Sequence, residues 1–260
     1  MSFRRSFITI FFAVLSMSLF GQKKIIVQAR DYIKGGNNLD KAEMLMTDLL
    51  KDSANMTNMK IWNTLFEAIK AQYEQGNEKL YLKQQYDTAS LFSATKRMFT
   101  VLEAMDSVDA MPDRKGKIRL KYREKNSSYL NAYRPNLYNG GVFFINKKAF
   151  AQAYDFFHIY IDCAKQPLFS SFNYLKNDKM IPIAAYWASY CGYKLHDPDK
   201  ALKYMYIAGR DTSKTKYLLQ FKSEMLKLNE DTIGYVRTLK EGFAKYPTFP
   251  FFFPRLVEYY

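Results

Sequence analysis

The chain has 260 residues, 48% of them hydrophobic, so it can bury a substantial core and is not a globally disordered polymer. A formal charge of +14 favours acidic partners, anionic lipid or nucleic acid. The lysines are spread along the whole chain, however. The densest run, "DRKGKIRLKYREK" (Asp113 to Lys125), has no DNA- or RNA-binding signature beside it and reads as a solvated helical face, so no nucleic-acid partner is expected.

The first segment is "MSFRRSFITIFFAVLSMSLFGQKK". Arg4 and Arg5 precede an apolar run from Phe7 to Phe20, relieved only by Thr9, Ser16 and Ser18, and small Gly21 follows. That is the layout of a secretory signal peptide over residues 1–21, and the run is shorter than the roughly 20 residues that span a bilayer. Cleavage would leave Gln22 first and, with the two arginines gone, lower the charge from +14 to +12. No cysteine follows the run, so no lipid anchor is indicated. Left uncleaved, the segment would be an anchor, and it is the one membrane contact expected. The expected location is the periplasm or cell envelope of a Gram-negative bacterium.

Helical hairpins follow, in approximate units 25–53, 57–108, 117–165, 181–211 and 214–247, with a partial unit 248–260. "NNLDKAEMLMTDLLKD" is a turn and second helix carrying Ala42, Met46 and Leu49. In "MKIWNTLFEAIKAQYEQGN", Trp62, Leu65, Ala68 and Ile69 share a face, and "YDTASLFSATKRMFTVLEAMDSVD" is the longer partner. The stretch between Asp106 and Lys117 reads as a loop. Its acidic residues Asp106, Asp109 and Asp113 could form at most a weak cation site, since calcium-loop spacing is missing.

"RPNLYNGGVFFINKK" reads as a helix with Pro135 in its first turn. Gly140 and Gly141 would each cost about 1 kcal/mol mid-helix, which makes sense if another helix packs closely on them. "AFAQAYDFFHIYIDCA" places Phe150, Ala153, Tyr154, Phe157, Ile161 and Ala164 on one face. Lys165 to Met180 is an insertion. "IPIAAYWASYCGYKL" is the next first helix. Asp197 is then the expected N-cap, Pro198 the first helical residue, and "DKALKYMYIAG" a helix ending near Gly209. Asp231, Leu239 and Gly242 lie 34 residues after Asp197, Met205 and Ala208, and Pro247 ends that unit. Small residues at such points let two helices approach closely, and stacking consecutive hairpins hides their apolar faces.

The spacing resembles the tetratricopeptide repeat family over roughly residues 25–260. Gly141, Ala153 and Phe157 match in the third unit; Ser189, Ala201, Met205 and Ala208 in the fourth; Ser223, Leu239, Gly242 and Pro247 in the fifth. Tyr235 stands where alanine is expected, and the second unit departs most from the pattern. The resemblance implies an all-α, right-handed α-α superhelix of about five hairpins that binds a protein or peptide on a concave surface lined by the first helix of each hairpin. Carried over by position, that surface would present Tyr138, Tyr186, Tyr190, Tyr193, Lys194, Gln220 and Lys227. The three tyrosines from Tyr186 share a face. Packing against the neighbouring hairpin would explain that stripe equally well.

Catalytic signatures are lacking. His158, beside Phe157, reads as packed, and His196 sits in a turn; neither has the carboxylates or cysteines of a zinc site. No nucleophile elbow or phosphate-binding loop occurs. The expectation is a non-enzymatic exported scaffold or adaptor without cofactor or metal, the alternative being a glycan-associated envelope protein using tyrosines as stacking platforms. Cys163 and Cys191 lie in apolar helical stretches, where free buried cysteine is common, although export makes a bridge between them possible. The end, "YPTFPFFFPRLVEYY", begins another first helix and exposes aromatic surface for self-association.

Overall fold

The computed structural model describes residues 21–113 and 115–260. The proposed signal segment therefore lies, apart from Gly21, outside the described residues. Every regular element among the described residues is helical, and none of these helices is long and apolar enough to cross a membrane.

The chain divides into two compact units, Met1–Leu130 and Asn131–Tyr260. The first holds α1 (21–35), α2 (Leu39–Leu50), α3 (Met59–Tyr81), α4 (Thr88–Asp109) and the opening turns of α5 (Arg123–Asn146). The second holds the rest of α5, α6 (Phe150–Asp162), α7 (Tyr174–Asn177), α8 (Met180–Lys194), α9 (Pro198–Lys203), α10 (Met205–Ala208), α11 (Thr215–Leu228), α12 (Thr232–Lys245) and α13 (Phe252–Tyr259). Packing runs between neighbours in the chain. α3 lies against α2 and α4, α8 against α6, α9 and α10, and α12 against α11 and α13.

One local device recurs. The first helix of each of five hairpins (α1, α3, α5, α8, α11) ends in a left-handed residue: Gly36, Lys83, Lys148, His196 and Glu230, with φ between 52° and 64°. In each case that residue's N–H bonds the carbonyl three before it, and the next N–H bonds the carbonyl five before it. Examples are His196 to Tyr193 (3.1 Å) with Asp197 to Gly192 (3.0 Å), and Glu230 to Lys227 (3.1 Å) with Asp231 to Leu226 (2.9 Å). Orphan carbonyls at the helix end are thereby satisfied and the chain reverses. Asp197 and Asp231 then cap the following helices as expected, bonding Lys200 N–H (3.0 Å) and Gly234 N–H (2.8 Å).

The small residues also serve close approach. A methyl group on Gly141 would sit 2.6 Å from the Phe157 ring, and one on Gly140 2.7 Å from Phe156, so these glycines admit the α6 aromatics. Ala201 and Ala208 are fully buried, and at Gly192 the α9 backbone leaves no room for a side chain.

Four readings need correction. Pro135 lies inside α5 rather than in its first turn; with no N–H, it leaves the Asn131 carbonyl without its helical donor. The helix expected from Asp199 to Gly209 breaks at Tyr204 (φ −110°), and Gly209 takes a right-handed φ of −64° that any residue could adopt. Lys115 to Lys121 are an exposed non-helical loop, not a helical face. The loop carboxylates are already engaged. Asp106 is inside α4 and grips Arg123 with two 2.8 Å bonds, Asp109 accepts from Tyr122 N–H, and Asp113 accepts from Lys115 and Lys117 N–H. No group of metal-binding side chains occurs among the described residues.

The insertion between α6 and α8 is fastened by Arg134, which is 5% exposed. Its guanidinium lies 3.8 Å from the Tyr160 ring centre and 3.9 Å from that of Tyr174. It also bonds Cys163 Sγ (3.2 Å), the Tyr160 carbonyl (3.0 Å) and the Asp178 carboxylate. Cys163 and Cys191 are both buried thiols that are not joined in a disulfide.

Candidate functional site

α8 has two characters along its length. Ala184, Ala185, Ala188, Ser189 and Gly192 form a small-residue side that is fully buried. Opposite them Tyr186, Trp187, Tyr190 and Tyr193 are half-buried. Three of these rings converge on Phe221 of α11, itself 4% exposed. Tyr193 stacks on it at 4.6 Å with 20° between the planes, while Tyr186 and Tyr190 approach at 5.9 Å. Trp187 lies edge-on to Tyr186 (5.2 Å) and Tyr190 (5.6 Å). The tyrosine stripe thus clasps the next hairpin, and part of each ring still reaches solvent.

The clasp leads to a cleft. The Tyr193 hydroxyl lies near Glu224 and Gln220, and burial together with Glu224 pushes its pKa up to about 12. Burial likewise raises Tyr186 to about 12. Glu224 pairs at 3.3 Å with Arg255 of α13, whose guanidinium covers the Phe251 ring at 3.9 Å. Beside this pair opens a cavity of about 490 Å³. Met225, Leu228 and Tyr235 supply its apolar surface; His196, Lys227 and Glu230 bring polar and charged groups to it. Two of the five left-handed turn residues, His196 and Glu230, therefore sit at this cleft, because successive hairpin turns bring them to the same end of their helices.

Of the residues picked from sequence, Tyr186, Tyr190, Tyr193, Lys194 and Gln220 come together around Phe221. The Lys194 ammonium lies 5.7 Å from the Tyr190 ring centre and 5.8 Å from that of Tyr193. Lys227 lines the cleft, 5.6 Å from the Tyr235 ring centre. Tyr138 is not part of this group; it packs on Phe157 (5.6 Å) and Tyr160 (6.0 Å) within the α5–α6 hairpin. Trp187, Phe221, Glu224 and Arg255 were missed. Phe221 and Trp187 carry the same aromatic signal as the tyrosines, but only the α8–α11 pairing reveals their role.

His158 is packed, as its sequence setting implied. It stacks on Tyr154 (5.8 Å), contacts the Tyr204 hydroxyl, and lies 3.2 Å from Asp162. Burial lowers its pKa below the ordinary 6.5, partly opposed by Asp162. Compared with known proteins, the chain matches no family model, no curated protein and no solved structure.

Proposed function

We propose that the chain is an exported, tetratricopeptide-like helical repeat protein that acts as a scaffold or adaptor by binding a peptide or protein segment, without catalysis or a cofactor. The carrying observation is the 490 Å³ cleft of the second unit, whose size and mixed apolar and charged lining suit a few residues of peptide. Leu228 and Tyr235 offer apolar contact, Lys227 and Arg255 can meet a carboxylate, and Glu224 and Glu230 can meet a cation. The recurring left-handed helix endings support the repeat reading, since similar turns set similar hairpins. Placement in the periplasm or cell envelope rests on the N-terminal segment's composition alone.

The glycan reading is less favoured. A sugar stacks on an open ring face, whereas Phe221 covers one face of Tyr193 at 4.6 Å. Self-association through α13 belongs to the same proposal. Phe251 and Phe252 turn into the core with Leu219 and Leu239, but Phe253, Val257 and Tyr260 stay 55–81% exposed.

A displayed peptide library panned on the purified chain tests the binding reading. Enriched peptides should bind wild type and lose about tenfold or more on Lys227→Glu or Leu228→Asp, both exposed positions, with an unchanged circular dichroism spectrum. No enrichment, or equal binding by both variants, refutes it. Retention on polysaccharide with no peptide binding would favour the glycan reading.

A further inference from the structure

The loop between α4 and α5 carries a feature that peptide binding does not use. Within Lys115–Lys121 every side chain is exposed, including Ile118 (61%) and Leu120 (44%). Four cations, Lys115, Lys117, Arg119 and Lys121, interleave with those two aliphatics. The loop's base is held at both ends. Asp113 accepts from Lys115 N–H (2.8 Å) and Lys117 N–H (3.0 Å), and its own N–H bonds the Lys117 carbonyl (2.9 Å). At the other end Asp109 accepts from Tyr122 N–H (2.9 Å), and Arg123 is locked onto Asp106. The one carboxylate near the tip, Asp113, is therefore occupied by backbone donors, and Arg119 lies only loosely beside it at 3.8 Å.

We infer that this loop is a docking finger for an anionic lipid surface, independent of the peptide cleft. Aliphatic side chains held in water among cations gain twice at such a surface. The hydrocarbon moves into the boundary between headgroups and acyl chains, and the ammonium and guanidinium groups meet lipid phosphates. A groove-bound protein partner fits poorly, because the loop side chains from Lys115 to Lys121 all stand exposed. Single-stranded nucleic acid fits less well too, since bases stack on aromatic rings and the tip residues are isoleucine and leucine.

The test is co-sedimentation of the full chain with phosphatidylcholine vesicles that contain or lack phosphatidylglycerol. Any contribution from residues 1–20 is common to every variant compared. Wild type should bind the anionic vesicles more tightly, and less so as salt rises. Replacing Lys117, Arg119 and Lys121 together by Gln should weaken binding roughly a hundredfold, at about fivefold per cation. Ile118→Ser with Leu120→Ser should weaken it roughly tenfold. Both variants change only exposed side chains and should keep the wild-type melting curve. Failure to prefer phosphatidylglycerol overturns the inference, as do variants that bind like wild type. Capture of single-stranded RNA that survives Ile118→Ser and Leu120→Ser would assign the finger to nucleic acid instead.

Discussion

Replacing Lys148 by glycine should stabilise the protein. Lys148 is held at φ 57° at the end of α5, and its side chain is exposed. A left-handed conformation costs a residue with a Cβ roughly 1–2 kcal/mol, and glycine escapes that cost. Glycine in turn gives the unfolded chain more freedom, which returns roughly 0.5–1 kcal/mol. The net gain is about 0.5–1 kcal/mol. Lys83, at φ 55° and exposed at the end of α3, should behave alike, and the two changes should add because they share no partner. Urea unfolding followed by circular dichroism measures the effect. With slopes of about 1–3 kcal/mol per molar, each midpoint should rise by a few tenths molar. Asn229→Gly is the control. It changes an exposed residue one position before the left-handed Glu230, but at a right-handed φ of −82°, so it should lower the midpoint. If Lys148→Gly moves the midpoint in the same direction as Asn229→Gly, left-handed strain is not what distinguishes these turns.

Other consequences can be checked in the same assay. Arg134→Met should destabilise by about 3–5 kcal/mol, because Asp178 and the Tyr160 carbonyl lose their buried donor; Arg134→Lys should recover little, since an ammonium cannot fill the slot between two rings. Ser189→Ala should be neutral or stabilise by about 1 kcal/mol, as the Ser189 hydroxyl is fully buried and finds no hydrogen-bond partner among the described residues. The depressed pKa of His158 means that the folded state prefers its neutral ring. Its stabilising contribution is present above pH 6.5 and is lost as pH falls from there toward the folded value. Urea midpoints measured through that window should fall more steeply for wild type than for His158→Gln.

The succession of helical hairpins was legible because its signals are local. Asp197 before Pro198, Asp231 34 residues later, and the paired Gly140 and Gly141 each state a backbone requirement within a few residues. What stayed hidden depends on distant partners. Arg134 reads as one more surface cation until Tyr160, Tyr174 and Asp178 close around it. The tyrosines of α8 read equally well as a binding face or as packing against the next hairpin, because nothing in the sequence says that Phe221 fills the space between them. Pro135 has the residues to begin a helix, yet tertiary packing carries α5 past it. The break at Tyr204 leaves no trace in an unbroken run of helix formers. The loop was expected only as far as Lys117; the cations beyond it, assigned to a solvated helical face, extend it to Lys121.

The two buried thiols lend themselves to watching the second unit breathe. Cys163 is 2% exposed and Cys191 is sealed completely, while burial drives the Cys191 thiol up to about 12. Neither can meet an alkylating reagent until the surrounding helices part, so the labelling rate at each becomes a clock for opening. Cys163 times release of the inserted segment, and Cys191 times separation of α8 from its neighbours. Comparing the two rates would tell whether this half of the molecule loosens piece by piece or in one event.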